Sequence, residues 1–95
     1  VLEDPTLDAV SIAMPDHWHT PAALLAMQAG KHVYLEKPGS HNSAEAELLV
    51  DATIKYGKVV QMGNQRRSWP RVQEAMQELH SGAIGRVYYA RAWYT

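Results

Sequence analysis

The heptapeptide HVYLEKP, residues 32–38, places three apolar residues directly before a carboxylate, an ammonium group and a proline. Proline lacks the backbone N–H that a sheet ladder needs and fixes its own φ, so a β-strand over the apolar residues must end here. Most Glu-Lys-Pro tripeptides are ordinary strand-end turns with two solvated charges. The elements on either side decide whether Lys37 belongs to a functional site.

The sequence before the heptapeptide predicts a strand and a helix. Residues 9–14 (AVSIAM) combine apolar and small side chains, which predicts a strand buried on both faces and stopped by Pro15. A helix then follows, with Thr20 as its predicted cap and Gly30 at its end. A second strand over residues 32–36 begins directly afterwards.

The sequence after the heptapeptide repeats the pattern. Asn42 and Glu45 have the spacing of a capping box, which predicts a second helix that ends at Gly57. Residues 58–62 predict a third strand. Strand, helix, strand, helix and strand with such short connections indicate an α/β fold, in which right-handed crossovers build a parallel sheet.

The most polar loops of the chain all follow predicted strands. They are residues 15–19 (PDHWH), 36–38 (EKP) and 63–67 (GNQRR). The carboxyl ends of parallel strands lie at one edge of a sheet, and open α/β sheets bind ligands outside that edge. This concentration of polar residues therefore favours a ligand site over a set of ordinary turns.

The last third of the chain differs in composition. Apolar residues at helical spacing predict a helix over residues 70–80, closed by Gly82. The alternating aromatic residues of 86–94 predict a strand of an antiparallel sheet. An aromatic stripe of this kind more often packs in a core or a subunit interface than against a nucleotide.

Composition excludes several classes of function. The net charge is −1, and of the nine Lys and Arg residues only Arg66 and Arg67 are adjacent, so we predict no nucleic-acid partner. No apolar run approaches the roughly 20 residues that span a bilayer, so we predict no membrane partner. Cysteine is absent, which excludes disulfides. We expect a cytoplasmic location, with the bacterial periplasm as the alternative.

The start of the chain indicates an internal fragment. It begins at Val1 without a methionine or a targeting segment. No Gly-rich phosphate loop precedes Leu35, and the later Gly82-Ala83-Ile84-Gly85 precedes a predicted strand. If the protein binds a dinucleotide, we expect its pyrophosphate site to lie before Val1.

Three stretches carry a family resemblance. Residues 9–19, 29–38 and 82–87 resemble the Gfo/Idh/MocA-type oxidoreductases, and the resemblance covers essentially all of the chain. It implies a two-domain enzyme with a Rossmann domain for NAD or NADP and a C-terminal α/β domain. Residues 1–66 are then the second half of the Rossmann domain, and residues 67–95 begin the substrate and oligomerisation domain.

The resemblance also implies roles for the heptapeptide. Glu36 and Lys37 match residues near the nicotinamide ribose, Lys37 also reaches the substrate hydroxyl, and the Lys37–Pro38 bond is expected to be cis. Lys37 is the predicted catalytic residue, because a cation beside an oxidised alcohol stabilises the developing alkoxide. The family's proton acceptor, a histidine paired with an aspartate, lies downstream of this chain. We therefore expect the fragment alone to be inactive.

The predicted cofactor contacts extend beyond the heptapeptide. The cofactor-binding residues that we predict are Pro15, Asp16, His17, His19, Glu36, Lys37, Pro38, Gln65 and Arg67. For His19, capping of the following helix is an equal alternative. His17 and His19 could also ligate zinc, but no further Cys, His or acidic residue lies at ligand spacing, so we predict no metal site.

These expectations combine into one functional hypothesis. The parent protein is expected to transfer a hydride between a nicotinamide cofactor and a sugar, inositol or related polyol, as a homo-oligomer formed through its C-terminal sheet. A redox-assisted glycoside hydrolase that uses NAD is one alternative. A ligand-binding module without catalysis is the other, because fold alone does not determine function.

Overall fold

The computed structural model describes residues 1–93. Its sheet has three parallel strands, β1 (Ala9–Ile12), β2 (His32–Leu35) and β3 (Val60–Met62), in the order β1-β2-β3. The register pairs Ile12 with Leu35 and Leu35 with Met62. The predicted β-α-β-α-β arrangement is therefore confirmed, and the last residues of the three strands lie side by side.

Helices α1 (His19–Gln28) and α2 (Ser43–Tyr56) connect the strands, and a short 3-10 helix over Asp16–Trp18 precedes α1. The two helices contact each other, and α1 also contacts β1 and β2. The buried core consists of Ile12, Val33 and Leu35 from the strands, Ala23, Ala26 and Met27 from α1, and Ala52 from α2.

The strand β1 differs from the sequence prediction in length and in burial. It ends at Ile12 rather than at residue 14, and only Ile12 is fully buried while Ala9 and Ser11 are exposed. The two crossovers advance across the sheet in the same direction, so both helices cover the same face. Burial on both faces was therefore the wrong prediction for this part of the chain.

The start of α1 also differs from the prediction. Thr20 does not cap the helix, because α1 begins at His19, two residues earlier than a cap at Thr20 would place it. Trp18 is in the N-cap position without a side-chain hydrogen bond. The turn before it is closed by the Trp18 N–H, which donates to the Pro15 carbonyl at 2.8 Å. The Thr20 hydroxyl instead donates to the Gly39 carbonyl at 3.3 Å.

The ends of α2 confirm the sequence prediction. Asn42 accepts a hydrogen bond from the Glu45 N–H at 2.9 Å, and Glu45 accepts one from the His41 N–H at 2.9 Å. In a standard capping box the Glu45 side chain would accept from the N–H of the cap residue, Asn42. Here it accepts from the residue before the cap, His41. Gly57 ends the helix with φ of 60°, a left-handed conformation that glycine adopts without steric cost.

A buried lysine holds the amino edge of the sheet. Lys31, which directly precedes β2, is only 6% exposed. Its Nζ donates to the carbonyls of Asp4 and Leu7 at 2.6 and 2.8 Å. The segment before β1 is thereby tied to the start of β2, although the sequence of this loop shows no sign of it.

The chain divides into two compact units, Val1–Asn64 and Gln65–Thr95. The second contains a 3-10 helix over Gln65–Ser68 and the helix α3 (Pro70–His80), which confirms the predicted helix. The domain boundary after residue 66 stays a prediction. None of the helices within residues 1–93 combines the length and apolar character that a bilayer crossing demands.

The predicted strand over residues 86–94 does not form within the described part. Residues 86–93 are in neither a helix nor a strand, and Tyr94 lies outside the described residues. A strand is stabilised by hydrogen bonds to a neighbouring strand. Residues 65–93 contain no strand that could supply them.

Candidate functional site at the carboxyl edge of the sheet

Backbone hydrogen bonds bring the loops after the three strands together. The Glu36 N–H donates to the Ile12 carbonyl at 2.9 Å, and the Gly63 N–H donates to the Leu35 carbonyl at 2.8 Å. The loop after each strand therefore begins directly beside that of its neighbour. Such an edge is where open α/β sheets bind ligands, as the sequence predicts.

The loop of residues 36–39 carries the chemistry of this edge. Its Lys37–Pro38 peptide bond is cis, as the resemblance implies. The side chain of Lys37 is exposed, and within residues 1–93 its ammonium group has no hydrogen bond or ion pair. Glu36 is half-buried, and its Oε2 accepts from the Lys37 N–H at 3.3 Å. The edge thus presents a cation that is available to a ligand.

The first two residues of α1 bind this loop through side-chain hydrogen bonds to its carbonyls. The Nδ1 atom of His19 lies 2.5 Å from the Pro38 carbonyl oxygen, one residue before the carbonyl that Thr20 binds. Both side chains are 1% exposed. A carbonyl can only accept, so Nδ1 carries the proton of this bond. The other ring nitrogen, Nε2, is buried and has no hydrogen-bond partner in the described part of the chain.

These contacts bear on the alternatives for His19. Its side chain does not cap α1, because it bonds to a loop carbonyl instead. Among the described residues no group of three or more His, Asp or Glu side chains could hold a metal ion. His19 is also buried rather than open to the edge, so its predicted contact with the cofactor is not evident in this geometry.

The loop after β1 contributes the other predicted contacts of the first unit. Pro15 precedes the 3-10 helix that contains Asp16 and His17, and all three are exposed. The His17 ring lies 6.2 Å from that of Trp18, centroid to centroid. The structure thus brings these residues to the same edge as Glu36, Lys37 and Pro38, and their role with a cofactor stays a prediction.

Gln65 and Arg67 belong to the second unit. They lie in its 3-10 helix, and both are exposed. The Arg67 carbonyl accepts a hydrogen bond from the Gln73 side chain at 3.1 Å, which ties that helix to α3. Their role as cofactor contacts also stays a prediction.

Sequence reasoning missed the pairing of Tyr34 with Gly63. A Cβ atom at Gly63 would lie 2.6 Å from the Tyr34 hydroxyl oxygen and 3.3 Å from Oε2 of Glu36. The phenol therefore lies against the backbone of Gly63 at the same edge as Glu36. Strand alternation was the available signal, because it places Tyr34 on the face opposite Val33 and Leu35.

Comparison with known proteins supports this assignment of the fold. Residues 1–64 match the Gfo/Idh/MocA family, described as an oxidoreductase family with an NAD-binding Rossmann fold. The chain is 38% identical to a levoglucosan dehydrogenase of Pseudarthrobacter phenanthrenivorans over 96 residues, which is 99% of this chain and 24% of that protein. It is 33% identical to a scyllo-inositol 2-dehydrogenase (NAD(+)) of Bacillus subtilis over 90 residues, 94% of this chain and 26% of the relative.

A solved structure agrees with these relatives. A 3-ketoreductase from Actinomadura kijaniata, in complex with TDP-benzene and NADP, superimposes with a TM-score of 0.82 at 30% identity, over 88% of this chain and 27% of that one. The chain thus spans about a quarter of the length of the proteins it matches. By sequence and by fold, the chain belongs to the Gfo/Idh/MocA family of oxidoreductases, whose NAD-binding Rossmann fold its residues 1–64 share.

Proposed function

We propose that the full-length protein is an NAD- or NADP-dependent oxidoreductase that transfers a hydride between a sugar, inositol or related polyol and the nicotinamide ring. The observation that carries this proposal is the exposed ammonium group of Lys37, without a partner in residues 1–93, on a loop held at the carboxyl edge of the sheet. The names of the relatives, which include levoglucosan and scyllo-inositol dehydrogenases, support the substrate class.

The residues of the edge suit the nicotinamide end of a dinucleotide. The carboxylate of Glu36 can accept hydrogen bonds from ribose hydroxyls, and Pro15, Asp16, His17 and Pro38 lie in loops at the same edge. Gln65 and Arg67, which belong to the second unit, are proposed as further donors to the cofactor on sequence grounds alone. A dinucleotide in this position fits the binding rule for open α/β sheets.

Lys37 acts on the substrate oxygen in this proposal. A nicotinamide ring held at this edge would supply the acceptor for the hydride that leaves the carbon of the alcohol. The hydroxyl proton passes to a base, for which the family's downstream histidine is the candidate. The Lys37 ammonium donates a hydrogen bond to the oxygen as negative charge develops on it, which stabilises the transition state more than the ground state.

The proposal includes an assembly and a location. The protein is cytoplasmic and forms a homo-oligomer through its C-terminal part. Large exposed side chains in residues 86–93 support the assembly, since Tyr88, Tyr89 and Trp93 are between 72 and 90% exposed. Aromatic residues of this kind are enriched at protein interfaces.

The test uses the full-length protein, NAD or NADP, and a panel of sugars and inositols, with nicotinamide reduction followed by absorbance. We expect Lys37→Ala to lower kcat by roughly 100- to 1,000-fold, the loss typical of removing a donor to a developing oxyanion. Lys58→Ala is the matched control, because Lys58 lies two residues before β3, at the opposite edge of the sheet. It should leave kcat unchanged.

Other outcomes would contradict the proposal. Glycoside cleavage without net nicotinamide reduction would assign the protein to the redox-assisted hydrolases. Turnover that is insensitive to Lys37→Ala would remove Lys37 from the mechanism. Cofactor binding without turnover of any sugar or polyol would favour a ligand-binding module.

A further inference from the structure

The loop that carries Lys37 is attached to α1 through two consecutive carbonyls. His19 donates to the Pro38 carbonyl and Thr20 to the Gly39 carbonyl, at 2.5 and 3.3 Å. On the other side of Lys37, the Glu36 N–H donates to the Ile12 carbonyl at 2.9 Å. The backbone on both sides of Lys37 is therefore hydrogen-bonded to regular secondary structure.

Helix α1 is a rigid support for these bonds. Ala23, Ala26 and Met27 of the same helix are at most 1% exposed and belong to the hydrophobic core. Close-packed interiors transmit displacement rather than absorb it. The position of the loop is consequently coupled to the core through the side chains of His19 and Thr20.

Burial of the His19 ring lowers the stability of the fold, so packing alone does not explain a histidine at this position. Its Nε2 atom is buried without a hydrogen-bond partner among residues 1–93, and an unsatisfied buried polar atom destabilises a fold. An apolar side chain would fill the same volume without that loss. A buried polar group that is incompletely satisfied calls for a reason beyond packing, and the bond to the Pro38 carbonyl supplies one.

We propose that His19 is a positioning residue for hydride transfer: its Nδ1–H bond to the Pro38 carbonyl, supported by the Thr20 hydroxyl, places Lys37 against the substrate oxygen. The inference rests on the proposed function of Lys37. It gives His19 a role through the loop instead of the direct cofactor contact expected from sequence. In this role His19 acts through the Pro38 carbonyl and needs no contact with substrate or cofactor.

The experiment compares two substitutions of His19 in the full-length protein. His19→Leu keeps an apolar body of similar size and removes the donor. In His19→Asn the side-chain amide lies near the position of Nδ1 and can donate to the same carbonyl. We expect His19→Leu to lower kcat roughly 10- to 100-fold, because a small displacement of a catalytic group has an effect of that order. His19→Asn should recover most of the loss.

Cofactor affinity separates positioning from contact. The KM for NAD or NADP should change less than about threefold in His19→Leu, since a positioning residue affects the transition state rather than ground-state binding. Rates are expressed per nucleotide-binding site, so that a smaller folded fraction does not imitate a catalytic loss. A rise in that KM with kcat unchanged would overturn the inference in favour of direct cofactor contact.

A matched control distinguishes positioning from stability. Lys31→Met also removes a buried donor, the ammonium group that donates to two loop carbonyls, but it does so at the amino edge of the sheet. It should lower the melting temperature and leave kcat unchanged. If His19→Leu has the same profile, or if His19→Asn is as slow as His19→Leu, the inference is wrong.

Two additions to the experiment cover a variant that does not fold and a failure of the proposed function itself. If His19→Leu does not fold, Thr20→Val and Thr20→Ser replace it: a lower kcat in the valine variant alone supports positioning, and equal kcat values overturn it. The proposed function is judged separately by Lys37→Ala. Activity that survives Lys37→Ala refutes the role of Lys37, whereas activity that needs Lys37 but not the His19 donor refutes only the inference.

Discussion

Two lysines at opposite ends of β2 show how location decides what a side chain does. Lys31 precedes the strand, is 6% exposed and donates to two carbonyls. Lys37 follows the strand, is exposed and has no partner within residues 1–93. The same ammonium group is thus a structural tie at the amino edge of the sheet and a candidate catalytic group at the carboxyl edge.

The two edges differ in what binds the carbonyls of their loops. At the amino edge, the lysine itself reaches the carbonyls of the segment before β1. At the carboxyl edge, the buried His19 and Thr20 bind the loop from α1. The loop is therefore held without Lys37, and the charged group is left for a ligand.

The largest effect on stability should come from breaking the amino edge. We expect Lys31→Met to lower the free energy of local opening around β2 by about 3 kcal/mol, because hydrogen bonds from a charged donor contribute more than neutral ones. Amide hydrogen exchange of His32, whose N–H donates to the Asp8 carbonyl at 2.9 Å, measures this in the full-length protein. An effect no larger than that of Lys58→Met would contradict the structural role of Lys31.

A smaller effect is expected from crowding the carboxyl edge. In Gly63→Ala the new methyl would collide with the Tyr34 hydroxyl at 2.6 Å, and overpacking of this kind destabilises by about 2 kcal/mol. At Gly39 the corresponding contact is Sδ of Met62 at 2.8 Å, and this flexible side chain can move away.

Chemical denaturation of the full-length protein compares the two glycines. Gly63→Ala should be the more destabilising, and Tyr34→Phe in the same chain should relieve part of its effect. Equal losses for Gly63→Ala and Gly39→Ala would show that Tyr34 does not restrict this edge.

The smallest effect concerns Asp4, in the segment that Lys31 holds. Hydrogen bonds from the Thr6 hydroxyl and N–H, at 2.7 and 2.9 Å, keep the pKa of the Asp4 carboxyl below its usual range. A carboxyl group with a lowered pKa stabilises the fold at pH values above its ordinary, unfolded-state pKa. This contribution is lost as the pH falls through the pKa of the folded state. Thr6→Ala should raise the pKa toward normal in an NMR titration. An unchanged pKa would exclude the hydroxyl as its cause.

Local chemistry made much of the fold predictable. Period-two and helical patterns identified the three strands and their helices, and the capping box at Asn42 and the glycine at 57 marked the ends of α2. These signals act over a few residues, and in these elements the tertiary structure agrees with them. The cis bond at Pro38 followed from the family resemblance rather than from local pattern.

The errors arose where a residue's partner is distant in sequence. Thr20 has the chemistry of a cap, but its hydroxyl donates to Gly39, 19 positions away. The alternation of residues 86–94 predicts a strand, but a strand needs a neighbour, and residues 65–93 contain none.

The amino-acid sequence by itself determined the order of strands and helices and the Glu-Lys-Pro loop, because periodicity, proline and glycine act through local sterics and hydrogen bonding. Only the tertiary structure decided which of the two lysines beside β2 is buried and which is exposed. It also decided that the His19 side chain bonds to the Pro38 carbonyl of the loop rather than capping α1. Those outcomes depend on which carbonyls the folded chain brings within hydrogen-bonding distance of each side chain, and the sequence pattern does not contain that distance.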